Sequence, residues 1–270
     1  MVERKGRRPY NTRVAKLDDH HDAGRAELDA QLATLPLSVE YPCSYLPDRL
    51  ARQQQFFWPK QAGHMPGAFY QQMMDRHFRR SGRLFYRPRC IGCQACVPIR
   101  LDVRTFAASR SQERSAKKNT DVVVRWQKPV LDAERVALYG RYTQARHDRD
   151  ELEDPASALE EFLYDSPTDT LEGSYWVGDR LIGCGICDLT PVALSTVYFY
   201  FDPAESKRSL GVYSALQEIA YARGAGLTHY YLGYYISDCR KMEYKAGLGD
   251  HELLEPVGWQ KKTRRLNVTP

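Results

Sequence analysis

Three cysteines, Cys90, Cys93 and Cys96, stand at C-x-x-C-x-x-C spacing. Two intervening residues let a tight turn aim successive sulfurs the same way, so thiolates so spaced can address one ion or cluster. With Cys43 they make four, enough for a tetrahedral zinc or a [4Fe–4S] cluster; four reduced, unligated thiols are the plainer reading. Arginines crowd the same stretch (Arg76, Arg79, Arg80, Arg83, Arg87, Arg89, Arg100, Arg104, Arg110, Arg114), with Phe78, Phe85, Tyr86 and Phe106 between them. Guanidinium groups interleaved with aromatic rings suit a phosphate-bearing partner whose bases can stack, and a solvated basic face is the alternative. Residues 78–114 therefore read as a scaffold that holds RNA or a nucleotide.

The elements that position these groups follow from periodicity. Residues 1–37 are polar, with DDHHD at Asp18–Asp22, and read as a flexible extension with a short helix from Gly24 to Leu35. His20 and His21 are a weak metal candidate there. Asp48 suits the start of a short helix, and Ala68–His77 reads as a helix ended by Ser81-Gly82. Arg83–Arg87 and Ile99–Val103 alternate as strands flanking the cysteine turn. Ser109 or Ser111 caps a basic helix through Asn119, a strand covers Val122–Gln127, and Asp132–His147 is an amphipathic helix. An acidic stretch, Asp148–Thr170, holds a short helix around Ala156–Leu163. Beyond it, Ser174–Val177 and Leu181–Asp188 bracket a Gly178-Asp179 turn as a hairpin. Thr196–Phe201 is an aromatic strand stopped by Asp202-Pro203, Leu210–Arg223 a helix, His229–Tyr235 a strand and Lys241–Gly247 a short helix. A strand–helix–strand crossover after a hairpin implies an α+β or α/β sheet of acyltransferase type. Cys184, Cys187 and Cys239 fall at strand positions and read as buried structural thiols.

Composition narrows the class. At 270 residues, 43% hydrophobic and 27% charged, the chain has enough apolar surface for a globular core. The net charge of +5 is modest, but it is concentrated in residues 76–128 and in the last residues, among them Lys261, Lys262, Arg264 and Arg265. No apolar run reaches a membrane span, and the N-terminus MVERKGRRPYNTR lacks the apolar core of a secretory signal. Seven cysteines without such a signal point to reduced thiols and a cytoplasmic protein. There is no Walker loop and no G-x-S-x-G.

A run of longer motifs goes further: PCSYLPDR (Pro42–Arg49), FRRSG (Phe78–Gly82), YRPRCIGCQACVPIR (Tyr86–Arg100), SRSQ (Ser109–Gln112), RYTQARH (Arg141–His147), YFDP (Tyr200–Pro203), SLG (Ser209–Gly211), YLGYYISDC (Tyr231–Cys239) and KMEYKA (Lys241–Ala246). In this order they resemble the bacterial aminoacyl-tRNA–protein transferases, leucyltransferases related to eukaryotic arginyltransferases. Glu113 stands where that pattern is basic, and the N-terminal extension carries no motif. The resemblance implies an α+β molecule divided into an extension (1–37), a cysteine-containing basic domain (38–130), a GNAT-like acyltransferase domain (131–260) and a basic tail (261–270). It implies leucyl-tRNA as donor, with arginine the alternative, and proteins beginning with Asp or Glu as acceptors. The product, bearing N-terminal leucine, would be read by the bacterial degradation machinery. The resemblance also favours iron over zinc on the four cysteines, although no cofactor is required for the transfer.

The implied chemistry assigns candidate residues. An aminoacyl ester is already activated, so the protein must position an α-amine against it and take a proton. Arg79 and Arg80, or Arg100 and Arg110, are candidates to clamp the acceptor's carboxylate. Asp202 at the end of the aromatic strand is the candidate base, with Tyr200 beside it. Lys207, Arg208 and the helix start at Ser209 form a candidate phosphate seat, and Tyr234 and Tyr235 candidate stacking groups for the terminal adenosine. Two other readings use the same residues: a coenzyme A-dependent N-acetyltransferase, for which the glycine content near Ser209 is lean, and an RNA-binding Zn or Fe–S module without turnover.

Overall fold

The computed structural model describes residues 21–147 and 154–264. Helix α1 (His21–Ala33) lies in a first unit ending at Pro36, where a helix from Gly24 to Leu35 was expected. His20 and the side chain of His21 lie outside the described residues. The second unit begins at Leu37 and contains all the other elements.

Two short strands, β1 (Tyr41–Pro42) and β2 (Leu50–Ala51), pair with each other in place of the helix expected after Asp48, which instead turns with φ 56°. Strand β3 (Gln53–Phe57), helix α2 (Gly67–Met74) and strands β4 (Arg79–Ser81) and β5 (Leu84–Pro88) follow. The last three strands form an antiparallel sheet in the order β3-β5-β4. Its apolar side is aromatic: Phe56 stacks on Phe85 at 5.1 Å between centroids, and Tyr70 of α2 meets Phe85 edge-on at 5.8 Å. Such pairs add to the area they bury.

The remaining elements are β6 (Val97–Asp102), α3 (Arg110–Lys117), β7 (Val123–Gln127), α4 (Ala133–His147) and α5 (Pro155–Leu159, continued by a π-helical turn Glu160–Tyr164). Then come β8 (Thr170–Val177), β9 (Arg180–Leu189), β10 (Ala193–Phe201), a 3-10 turn Pro203–Arg208, α6 (Leu210–Gly224) and β11 (His229–Tyr235). Helix α7 (Glu243–Ala246) and strands β12 (His251–Glu255) and β13 (Gly258–Lys262) finish the unit. Ser109 caps α3 with a full capping box, its hydroxyl taking the Gln112 amide and the Gln112 side chain returning to the Ser109 amide.

One mixed sheet of eight strands, ordered β13-β12-β6-β11-β10-β9-β8-β7, organises the unit. Strand β9 is buried at nearly every residue because helices cover both sides of the sheet. Leu138, Tyr139, Leu159 and Leu163 pack against Cys184, Ile186 and Tyr200 on one face. Ala215, Ile219 and Ala222 of α6 pack with Cys187, Leu194 and Tyr230 on the other. Cys184 and Cys187 are thus the buried structural thiols expected.

The expected boundary at residue 130 is crossed by this sheet. Strand β6, from the cysteine half, buries Ile99 and Leu101 completely on one face and lies between β11 and β12. The cysteine turn therefore connects two different sheets; the strands beside it do not pair with each other. The expected basic tail starts inside structure as well. Lys261 and Lys262 close β13, and Arg264 Nε donates to the Gly247 carbonyl at 2.8 Å, while Arg265 lies outside the described residues. The β12–β13 hairpin was not anticipated.

Strands β8, β9 and β10 are antiparallel, and β10 runs parallel to β11 through the α6 crossover, which is the GNAT-like α+β arrangement expected. The β10–β11 pairing covers only Ala193 to Ser195 against His229 to Tyr231, and the two strands then run on unpaired, to Phe201 and Tyr235. A bulge between Thr196 and Tyr198 shifts β10 at the point of separation. The sheet opens there.

Beneath this opening Glu218 of α6 is 1% exposed and accepts from Tyr230 Oη at 2.6 Å. Burial pushes its carboxyl from 4.5 up to about 7 against the hydrogen bonds of Tyr230, Thr196 and Cys187. Between those values the folded protein keeps a proton that the unfolded chain has released, so this site disfavours folding increasingly as pH rises through 7. Glu218→Gln is expected to gain in Tm over wild type more at about pH 8 than at about pH 5. An equal difference at both would contradict the buried proton.

Candidate functional site

The opening between β10 and β11 is a cleft of about 740 Å³. Ser195, Thr196 and Phe199 form one wall and Tyr230, Leu232 and Tyr234 the other, with the first turn of α6 and helix α7 at its ends. Tyr45, Tyr86 and Arg79 close it from the small sheet and its lead-in. Arg79, Arg80, Arg146, Lys241 and Lys245 line it, and among the described residues no Asp or Glu does. A basic cleft walled by tyrosines favours an anionic partner with a flat ring to bury.

Of the four candidate clamp arginines, one faces this space unpaired. Arg79 is 6% exposed, donates to the carbonyls of Phe78 (2.8 Å) and Gly233 (3.3 Å), and lies over the rings of Tyr231 and Tyr234 at 5.6 and 5.5 Å. Its Nε has no partner and no carboxylate pairs with it among the described residues. Arg80, next along β4 and so directed the other way, is fully committed. Its Nε and Nη2 reach Asp188 Oδ2 and Oδ1 at 2.6 Å each, with both side chains wholly buried. Arg100 is also a structural clamp, bonded to Glu252 at 2.6 Å and Tyr231 Oη at 2.9 Å, and stacked 4.0 Å from the Trp259 ring. Arg110 is exposed at the start of α3, outside the cleft lining.

Asp202 and Tyr200 are not where a cleft base would need to be. Asp202 caps the 3-10 turn, accepting from the Ala204 amide at 3.0 Å, and pairs with Arg180 at 3.2 Å and Arg141 at 3.7 Å. Tyr200 is fully buried on the opposite face of the sheet, 3.0 Å from Tyr164 Oη. There it joins Tyr164, Glu172 and Arg135, and burial raises its pKa strongly.

The expected phosphate seat divides similarly. Arg208 is held by Asp121 at 2.8 and 2.9 Å and by Glu205, while Lys207 is exposed. Ser209 does line the cleft, in a left-handed conformation (φ 58°) that turns the chain into α6. The first amides of α6, at Leu210 and Gly211, have no acceptor among the described residues, leaving the positive end of a 15-residue helix facing the cleft. Tyr234 reaches the cleft with its hydroxyl donated to the His77 carbonyl. Tyr235, one residue on, points to the other side of the sheet, where it meets His251 and lines a separate cavity.

Cys43, Cys93 and Cys96 gather around Leu46, Ile236 and Met242, and Cys239 of the YLGYYISDC run is with them. Burial, then the neighbouring Cys90, Cys43, Cys93 and Cys239, pushes the Cys96 thiol up to about 12. Cys90 Sγ is engaged by the backbone of Arg52, accepting at 3.4 Å and donating at 3.6 Å. No three of the described His, Cys, Asp or Glu side chains converge to hold a metal ion. The thiols of Cys43, Cys90, Cys93 and Cys239 are all close enough to Cys96 to act on its charge.

Sequence reasoning gave no role to Lys245, although it lies in KMEYKA. Its signal is the pair Lys241 and Lys245, four apart in the segment that reads as a short helix, although the helix itself begins at Glu243.

Comparison with known proteins places this cleft in a lineage. Residues 41–114 match the family described as arginine-tRNA-protein transferase, N terminus, and residues 134–255 its C terminus. The aspartate/glutamate leucyltransferase of Hahella chejuensis is 39% identical, covering 82% of this chain and 93% of that protein. That of Chromobacterium violaceum is also 39% identical, covering 89% and 97%. Among solved structures, FemX is similar with TM-score 0.43 and 8% identity over 64% of this chain and 61% of that one. A tandem GNAT protein from the clavulanic acid pathway gives 0.39 and 10% over 70% and 57%. With both halves matched and such identity across nearly the whole of its relatives, the chain belongs to the arginine-tRNA-protein transferase family.

Proposed function

We propose that this protein moves leucine from leucyl-tRNA to the α-amine of proteins beginning with Asp or Glu, as the names of its relatives indicate for them. The observation that carries this reading is the cleft itself, lined by Arg79, Arg146, Lys241 and Lys245 and, among the described residues, by no carboxylate. Both substrates are anionic, one through phosphates and the other through its first side chain, and such a lining favours both.

The reaction forms a C–N amide bond and breaks the C–O ester bond, and overall the amine's proton goes to the departing ribose oxygen. Among the described residues the wall offers phenols, hydroxyls and lysine for that proton, and no acid. Holding the amine beside the ester is then the main task. The free first turn of α6 suits a terminal phosphate of the tRNA, and Tyr234 its adenine face. Arg79 is the acceptor clamp of this reading. The seven cysteines are unpaired thiols, in keeping with a cytoplasmic enzyme.

Purified protein, tRNA charged with labelled leucine or arginine, and peptides starting with Asp, Glu, Lys or Ala test it. Leucine appearing only on the Asp and Glu peptides is the expected result. Arginine in its place would overturn the donor, and no transfer from any charged tRNA would overturn the reaction.

A further inference from the structure

Beside Arg79 the cleft holds a second buried cation. Lys245 of α7 is 8% exposed, and its Nζ donates to the Tyr234 carbonyl at 2.6 Å. The two cations grip successive carbonyls, Arg79 that of Gly233 and Lys245 that of Tyr234. In a regular strand these would point opposite ways. Gly233, with φ +77° at the irregularity where β11 slips against β6, breaks that alternation, and a Cβ built on it would lie 3.8 Å from Lys245 Nζ.

Among the described residues neither cation has a counter-charge. Arg79 Nε is unpartnered, and Lys245 makes one of its three available hydrogen bonds, to a neutral carbonyl. Burial, then the charge of Arg79, lowers Lys245 from 10.5 to about 7, while the thiols of Cys239 and Cys96 oppose that shift. Two buried like charges without an acid are costly to keep, and a bound anion would offset that cost.

We propose that Arg79 and Lys245 together form a two-cation seat for the carboxylate of the acceptor's first side chain. This rests on the transfer reading and deepens it, naming what enforces Asp or Glu at that position. A carboxylate brings two acceptor oxygens and a charge. Asparagine or glutamine brings one acceptor and an NH2 that two cations repel. The seat is almost closed to solvent, whereas the α6 end at Ser209 is exposed. The deep site therefore suits the small carboxylate and the open one the nucleic-acid phosphate.

The experiment is fluorescence anisotropy with peptides labelled at their C-terminus, one beginning with Asp and one with Asn, alongside uncharged tRNA. Wild type is expected to prefer the Asp peptide by about 100-fold or more. Lys245→Met and Arg79→Met should each reduce that preference to about 10-fold or less, with tRNA affinity little changed. Lys245→Met should not lower Tm, since it removes an uncompensated buried charge, and Lys245→Gln repeats the measurement with a polar side chain. Full discrimination in both Lys245 variants would overturn the seat, as would a loss confined to tRNA binding. The leucine-transfer assay on wild type separates the two ideas. Transfer with undiminished discrimination in the variants sinks the seat alone. Discrimination lost in the variants, with no transfer by wild type, sinks the transfer reading and leaves an acid-recognition site.

Discussion

Asparagine at position 188 is expected to lower stability by about 3–5 kcal/mol, because it leaves the Arg80 guanidinium buried without its charge partner. In a protein of this size that is a fall in Tm of about 6–20 °C. Asp188 holds Arg80 through two bonds of 2.6 Å and also accepts from Thr170 Oγ1 at 2.9 Å, and both charged side chains are inaccessible. The amide of asparagine could satisfy one of these donors but carries no charge. Thermal unfolding of Asp188→Asn, Arg80→Met and the double variant checks this. The double variant should recover much of the Asp188→Asn loss, since the damage lies in the orphaned cation. A fall below about 2 °C for Asp188→Asn would show that the pair is not what fixes β4 to β9.

The second large effect concerns Gly82, in the two-residue turn joining β4 to β5. Its φ is +55°, and a Cβ there would lie 2.0 Å from the Glu161 carbonyl oxygen. Its own amide donates to the Phe162 carbonyl at 2.8 Å, so turn and π-helical segment are held backbone to backbone. Alanine costs about 1–2 kcal/mol for the left-handed conformation alone. The collision adds more, because a backbone carbonyl cannot rotate away as a side chain could. Gly82→Ala should therefore displace the hairpin that carries Arg79, reducing both Tm and leucine transfer. Wild-type activity and Tm in this variant would refute the close approach.

What could be read from sequence followed the range of the forces involved. Helix α6 and strand β11 depend on neighbours in the chain, and their patterns give them within a residue; the start of α3 is narrowed to Ser109 or Ser111, and the capping box decides for Ser109. Arg79 and Arg80 could not be told apart, because Asp188, which claims one of them, is 108 residues away. Asp202 fits both a base and a turn cap from its flanking Tyr-Phe and Pro, and only the path of Arg180 and Arg141 settles what it touches. Tyr200, beside the candidate base, and Tyr235, a candidate stacking group, both read as site residues, but strand parity sends both to other faces. Lys245 was overlooked for the reverse reason. A lysine in a polar hexapeptide reads as solvated, and its burial depends on contact with β11. The β12–β13 hairpin is short, half-exposed and charged, so its reason to be a strand is its partner β6, roughly 150 residues earlier.

That same placement of β6 governs how the molecule comes to be made. Residues 97–102 leave the ribosome long before 229–235 and 251–255, the segments that flank them in the finished sheet. Until then Ile99 and Leu101 have no neighbours on either edge, and closing the gap requires loops of well over a hundred residues. Assembly is consequently late, dominated by long-range contacts and slow for a chain of this length. Although the family match falls in two parts, the central sheet takes strands from both of them. Expressing residues 37–130 and 131–264 as separate polypeptides should give unfolded or aggregating fragments, because β6 pairs only with strands of the later segment.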